Sequence, residues 1–95
     1  MHLNFKHLRY FHAVAHDGNL TNAARRLNVS QSALSTQIRL LEESIGHDLF
    51  ERRGRRLELT EAGRVALNYA DGIFESANEM MATFAGGAAQ ARRHL

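Results

Sequence analysis

The spacing of apolar and polar positions predicts three helices in the first 46 residues. The first helix is expected to follow Asn4 and to end at Gly18, because asparagine caps helix starts and glycine suits the left-handed position after a helix. Its apolar residues recur at intervals of three and four, as on one face of a helix: Phe5, Leu8, Phe11, Val14 and Ala15. One side of this helix therefore faces a core.

Two shorter apolar patterns predict the second and third helices. The second helix is expected to start after Thr21, and the third to start after Ser30 and end at Gly46. The predicted buried residues are Ala23, Ala24 and Leu27 on the second helix, and Leu34, Ile38, Leu41 and Ile45 on the third. Asn28, between the two helices, tolerates a positive φ. Ala24 is small enough for the two helix axes to cross closely, and Val29 is an apolar residue that fills the junction. These features are typical of a helix-turn-helix.

After Gly46 the pattern changes from helical spacing to alternation. Residues 49–52 and 57–59 read as two short strands around the turn-prone Gly54, which predicts a β-hairpin, or wing. Thr60 is expected to cap a last helix from Glu61 to about Phe84. The predicted fold is mainly α: a winged helix-turn-helix with a three-helix core and a two-stranded β-wing (residues 1–60), a long linker and dimerisation helix (61–85), and a flexible tail (86–95).

Length and composition narrow the class of protein. The 95 residues suffice for one small domain. Cysteine is absent, which excludes disulfides and thiolate metal sites, and no apolar stretch approaches the roughly 20 residues that cross a bilayer. We expect a soluble cytoplasmic protein that makes no use of a membrane.

The charge distribution favours a nucleic-acid partner. The net charge is only +2, but residues 52–56 read Arg-Arg-Gly-Arg-Arg, and all but one of the 12 basic residues are arginine. Like charges in such a cluster repel one another unless a polyanion is bound. Arginine also has the planar geometry that suits phosphate oxygens and base edges.

The polar residues at the start of the third helix are candidates for reading DNA. In a helix-turn-helix this turn enters the major groove, where glutamine pairs with adenine and serine contacts any base or phosphate. We expect recognition helix 31–45 in the major groove and basic wing 52–56 on the flanking minor groove or backbone. The predicted DNA-binding residues are Ser30, Gln31, Ser32, Ser35, Thr36, Arg39, Arg52, Arg55 and Arg56.

The last helix carries an apolar stripe that a small domain cannot bury alone. Part of the stripe, nearest the wing, is expected to cover the core, and the distal part predicts a homodimer whose two-fold axis requires an inverted-repeat site. The predicted dimer residues are Ala70, Ile73, Phe74, Ala77, Met80, Met81 and Phe84.

Many of these positions together resemble the DNA-binding domain of LysR-type bacterial transcriptional regulators. They are Leu8, Phe11, Ala23, Ala24, Leu27, Ser30, Gln31, Ser35, Ile38, Leu41, Glu42, Gly46, Leu49, Phe50, Arg52, Leu59, Thr60, Ala62 and Gly63. The resemblance implies promoter binding, a dimerising linker helix, DNA reading by Gln31, Ser32, Ser35 and Thr36, and insertion of Arg55 near the minor groove. It also implies an effector-binding domain, which is absent from these residues. Ser32, Thr36 and Asn19 depart from the residues common in the family, so the resemblance does not specify the bases that are read.

Two alternatives to this interpretation come from other classes. One is a helical module whose last helix binds a protein, and the other is a winged helix of another regulator family, such as the molybdate-responsive type. His12 and His16 are four residues apart, but a zinc site needs at least one more protein ligand, and the sequence shows none nearby. Glu42 and Glu43 diverge by about 100° on a helix, so they do not form a catalytic pair, and Glu42 is expected to make a structural contact. No enzyme motif or cofactor fingerprint is present, and neither an enzyme nor a cofactor is predicted.

Overall fold

A computed structural model describes residues 2–54 and 56–86 of the chain. The elements in chain order are α1 (Phe5–Asp17), α2 (Leu20–Leu27), α3 (Gln31–Ile45), β1 (Phe50–Arg53), β2 (Arg56–Leu59) and α4 (Glu61–Gly86). The predicted fold class is confirmed. Arg55 and the predicted tail beyond Gly86 lie outside the described residues.

The predicted helix ends are confirmed at most positions. The Asn4 side chain accepts hydrogen bonds from the N–H groups of Lys6 and His7, at 2.9 and 3.2 Å, and Gly18 ends α1 in the left-handed region at φ 78°. Asn28 adopts φ 59° between α2 and α3. It is the only described non-glycine residue with a positive φ, as the helix-turn-helix junction requires.

The predicted start of α2 is wrong by two residues. Asn19, not Thr21, is the N-cap, and its side-chain oxygen accepts the N–H of Asn22 at 2.7 Å. Asparagine is at least as good a cap as threonine, so the helix starts at the earlier position. Thr21 lies exposed in the first turn.

Buried side chains form two adjoining clusters. One joins α1, α3 and α4 around Leu8, Phe11, Leu41, Leu49 and Ala70. The other holds the helix-turn-helix together around Val14, Ala23, Ala24, Leu34 and Ile38. The recognition helix α3 contributes to both clusters, so its orientation is fixed from two sides.

Phe5 does not continue the buried stripe of α1. Its side chain is 52% exposed, and its ring meets that of Phe74 edge-on at 5.1 Å between centroids. Phe5 lies in the first turn of α1, at the edge of the body. It therefore covers α4 from outside instead of filling the core.

The first turn of α4 packs directly on the backbone at Leu49. The Leu49 carbonyl accepts the N–H of Thr60 at 3.0 Å, and the Thr60 hydroxyl donates to the Asp48 carbonyl at 2.6 Å. The same hydroxyl oxygen accepts the N–H of Gly63 at 2.9 Å, which makes Thr60 the cap of α4 as predicted. A Cβ at Gly63 would overlap the Leu49 carbonyl oxygen, so only glycine allows this close approach.

A polar cluster joins α1 to α4 farther along. Asp71 Oδ1 lies 2.8 Å from His12 Nε2 and 2.8 Å from His16 Nε2. The hydrogen bond with His16, followed by that with His12, lowers the pKa of the Asp71 carboxyl below its usual value, although partial burial opposes the shift. Asp71 is 59 residues from His12 in sequence, which is why the histidine pair lacked a visible partner in the sequence.

Candidate nucleic-acid interface

The exposed face of α3 carries a continuous polar surface. The side chains predicted to read DNA from this helix are all exposed: Gln31, Ser32, Ser35, Thr36 and Arg39. On the opposite face, Leu34 and Leu41 are fully buried and Ile38 is 6% exposed. The core therefore orients α3 so that these five side chains face outward.

Two of the predicted DNA-binding hydroxyls also have structural roles. Ser30 is the N-cap of α3, and its oxygen accepts the N–H of Ala33 at 3.1 Å. The Thr36 hydroxyl donates to the Ser32 carbonyl at 2.9 Å, so its oxygen could only accept a hydrogen bond from a ligand. The N–H groups of Gln31 and Ser32 have no acceptor among the described residues. They lie at the positive end of the helix, where phosphates bind.

Glu42 connects the recognition helix to the wing. Its carboxylate oxygen accepts the N–H of Leu49 at 2.7 Å and the N–H of Phe50 at 3.3 Å. This confirms the expected structural contact of Glu42. Because charged acceptors make the stronger hydrogen bonds, the start of β1 is held at a fixed position relative to α3.

The wing places its arginines on two different faces. In the antiparallel register Arg52 lies opposite Leu57, and Arg53 lies opposite Arg56. Since residues opposite one another share a face, Arg52 points to the same side as Leu57 and Arg56 to the other. Arg52 and Ser35 of α3 line one open pocket of ≈ 170 Å³. The structure thus brings one wing arginine next to the recognition helix.

Nearby glutamates partly neutralise the basic cluster. Arg53 contacts Glu51 at 3.4 Å and Glu58 at 3.2 Å. Arg52 and Arg56 make no ion pair with the described residues. These two arginines therefore remain available for an external anion. Arg55, the fourth arginine of the cluster, lies outside the described residues.

The long helix α4 has an exposed apolar stripe, but Ala70 is not part of it. Ala70 is fully buried in the domain's own core, so it cannot serve as the exposed dimer contact that was predicted. Its position between Ala66 and Phe74 places it on the inward face of the helix, because residues four apart lie on the same side. Phe74 is half-buried against the same core.

Other predicted dimer residues are exposed along α4. Ile73 is 38% exposed, Met80 58%, and Met81 and Phe84 each 66%, while Ala77 is half-buried. Two further apolar residues extend the stripe toward the wing: Val65 at 52% and Tyr69 at 72% exposure. Their spacing of four before Ile73 was visible in the sequence. The part of the stripe nearest the wing was expected to cover the core, and these two residues were not among the predicted interface residues.

The fold and these surfaces define a class of protein: a winged helix-turn-helix domain with a long helix attached. The model of the bacterial regulatory helix-turn-helix protein, lysR family, matches residues 5–64. The chain belongs to this family and carries its DNA-binding domain. None of the described helices has both the length and the apolar character needed to cross a membrane.

Curated relatives of this chain are transcriptional regulators. It is 48% identical over 80 residues to the RuBisCO operon transcriptional regulator of Allochromatium vinosum, a match that covers 84% of this chain and 26% of the relative. It is 40% identical over 80 residues to the transcriptional activator protein NhaR of Escherichia coli strain K12, covering 84% and 27%. The chain therefore spans about a quarter of the length of these relatives.

Solved structures with the same fold include a DNA complex. The crystal structure of the BenM DBD with catB site 1 DNA has a TM-score of 0.84 and 34% identity, and the match covers 92% of this chain and 97% of that one. CbnR, a LysR family transcriptional regulator, has a TM-score of 0.80 and 41% identity, with 90% and 30% covered. At these identities the similarity supports both the fold and the family.

Proposed function

We propose that this chain binds double-stranded DNA at a specific promoter site, with α3 in the major groove and the wing against the flanking backbone or minor groove. The observation that carries the proposal is the polar face of α3, where Gln31, Ser32, Ser35, Thr36 and Arg39 are exposed opposite a fully packed core. If the polar face of α3 were in contact only with solvent, there would be no reason for a wing arginine, Arg52, to lie beside it. The BenM DBD, which has the same fold, has been crystallised in complex with DNA, and this supports DNA binding by the present chain.

The residues have different roles in this proposal. Gln31 reads a base edge, adenine being the partner that suits an amide in bidentate geometry. Ser32, Ser35 and Thr36 supply hydroxyls to bases or phosphates, and Ser30 positions the helix start. Arg39, Arg52, Arg55 and Arg56 bind phosphates or the minor groove, as their guanidinium groups suit.

We further infer that the protein acts as a homodimer through α4. The last core contact of α4 is made by Phe74, whereas the helix continues to Gly86. The part beyond Phe74 is about 18 Å long at 1.5 Å per residue. The exposed apolar side chains beyond this contact are of the kind that marks an interface. Pairing two such helices sets two recognition helices on one side, so the target is an inverted repeat.

Regulation at a promoter in the bacterial cytoplasm is the role that fits these properties, and we assign no enzymatic activity to the chain. The relatives named above are all transcriptional regulators, and DNA binding is the activity that the exposed residues support.

Site selection followed by a readout test separates this function from protein binding alone. Bound sites are first selected from random duplexes, which reports half-site sequence and spacing. Affinities for the selected and a scrambled duplex are then measured by fluorescence anisotropy at two salt concentrations. Gln31→Ala should weaken binding to the selected duplex by about 1–3 kcal/mol and leave binding to the scrambled duplex nearly unchanged.

Ser44→Ala is the matched control, because Ser44 is also exposed on α3 but lies at the opposite end from Gln31. It should leave both affinities unchanged. Equal losses on the two duplexes would assign Gln31 to the backbone instead of a base. Failure to select any duplex, or an affinity that does not fall with salt, would overturn DNA binding and favour the interaction module.

A further inference from the structure

Three ligating side chains converge on one point between α1 and α4, away from the proposed DNA contacts. Asp71 Oδ1 lies 2.8 Å from the Nε2 atoms of both His12 and His16. The ligand atoms of the three residues all lie within 4.8 Å of one another. The proposed DNA binding does not involve any of these side chains.

A bound transition-metal ion would require side-chain movements within this cluster. Zinc binds imidazole nitrogen at about 2.0–2.1 Å and carboxylate oxygen at about 2.0–2.2 Å. In a tetrahedral site these bonds place neighbouring ligand atoms about 3.3 Å apart. Asp71 Oδ1 would move outward by roughly half an ångström from each histidine nitrogen to reach that spacing. Ligand atoms that lie as far as 4.8 Å apart would also have to move closer together around the ion.

The surroundings of these three side chains also favour the binding of an ion. His12 and His16 are four residues apart on α1, the spacing that places two side chains on one face. The ring of His12 packs against that of Phe74 at 4.8 Å between centroids, which restricts its rotation. The side chains of His12, His16 and Asp71 are 27%, 50% and 44% exposed, so an ion reaches them from solvent and retains water at its fourth position.

We propose that His12, His16 and Asp71 form a binding site for a single Zn²⁺ ion that ties α1 to α4. Two imidazoles and one carboxylate are a donor set that suits this ion. Bound zinc links the helix-turn-helix body to the helix that projects from it. The ion thereby stabilises the orientation of α4 relative to the recognition helix.

Zinc titration of the 95-residue chain without an affinity tag tests the proposal. Isothermal titration calorimetry should show one Zn²⁺ per chain, and His16→Gln and Asp71→Asn should each weaken this binding by roughly tenfold or more. Glutamine and asparagine retain hydrogen-bonding ability at these two positions, so the contact between α1 and α4 is perturbed little. His47→Gln is the control, since His47 is exposed and outside the cluster, and it should bind zinc as the wild type does.

Histidine side-chain nitrogen spectra of the wild-type protein provide a readout that does not depend on any variant folding. Zinc should shift the Nε2 resonances of His12 and His16 and leave those of His47 in place. Thermal unfolding should also move to higher temperature with zinc in the wild type and the control, and by a smaller amount in the two cluster variants. Absence of saturable one-to-one binding, equal affinity in the cluster variants, or unshifted Nε2 resonances would overturn the proposal.

Discussion

Gly63→Ala tests whether the close contact between α4 and the wing base holds the domain together. A Cβ at this position would overlap the Leu49 carbonyl oxygen, and would lie 3.0 Å from the Leu49 carbonyl carbon and 2.9 Å from Leu59 Cδ2. The Leu59 methyl group can move, but the Leu49 backbone cannot. Its carbonyl is bound by the Thr60 N–H, and its own N–H is bound by Glu42.

The expected change in the free energy of unfolding combines one stabilising and two destabilising contributions. Alanine is favoured over glycine inside a helix by about 1 kcal/mol. Overpacking a well-packed contact costs about 1–3 kcal/mol, and shifting α4 weakens the Thr60–Leu49 hydrogen bond, which contributes about 1 kcal/mol. We expect Gly63→Ala to lower the free energy of unfolding by about 1–3 kcal/mol.

Gly72→Ala is the matched control because it makes the same substitution in the same helix. A Cβ at Gly72 meets no atom within 4 Å, so only the gain in helix propensity remains, about 0.8–1.0 kcal/mol of stabilisation. Urea unfolding followed by far-UV circular dichroism gives both values, at one fixed protein concentration because a dimer's stability depends on it. A Gly63→Ala midpoint at or above that of the wild type would refute the reasoning, whatever Gly72→Ala does.

Three further predictions concern the junction, the wing and the dimer. Asn28→Ala should cost roughly 1–2 kcal/mol in urea unfolding because of its positive φ, whereas Asn28→Gly should stay close to the wild type; equal losses would assign the effect to the side chain. Arg56→Ala should weaken binding to all duplexes and reduce the salt dependence by about one unit, and an unchanged slope in anisotropy titrations would remove Arg56 from the DNA contact. Ile73→Glu should convert a dimer to a monomer in sedimentation equilibrium while Asn68→Glu, on the polar side of α4, should not; a monomeric wild type or a dimeric Ile73→Glu would contradict the proposed interface.

The local features of this fold could be predicted from the sequence because neighbouring residues determine them. Asn28 indicated the left-handed junction, and Ser30 and Thr60 indicated the starts of α3 and α4, since a cap needs only its own following turn. The start of α2 was missed because two residues of similar capping ability, Asn19 and Thr21, compete within one turn.

Features that depend on distant contacts could not be read from the sequence. The partner of the histidine pair, Asp71, comes from another helix, and no periodicity relates it to α1. The four wing arginines form one cluster in the sequence, but strand pairing separates Arg52 from Arg56 and places Glu58 beside Arg53. Which apolar residues of α4 are buried and which are exposed likewise depends on how far the rest of the domain extends along this helix. This dependence explains the error at Ala70.

The bond between Glu42 and the start of β1 has a consequence for the DNA. Because these hydrogen bonds hold the base of the wing in place relative to α3, the distance between the two proposed DNA contacts is set largely by the protein. A duplex that does not match this distance must bend or change its groove width to meet both contacts, at an energy that depends on its base steps. We therefore expect base pairs that no side chain touches to influence affinity, with flexible pyrimidine–purine steps favoured between the two contacts.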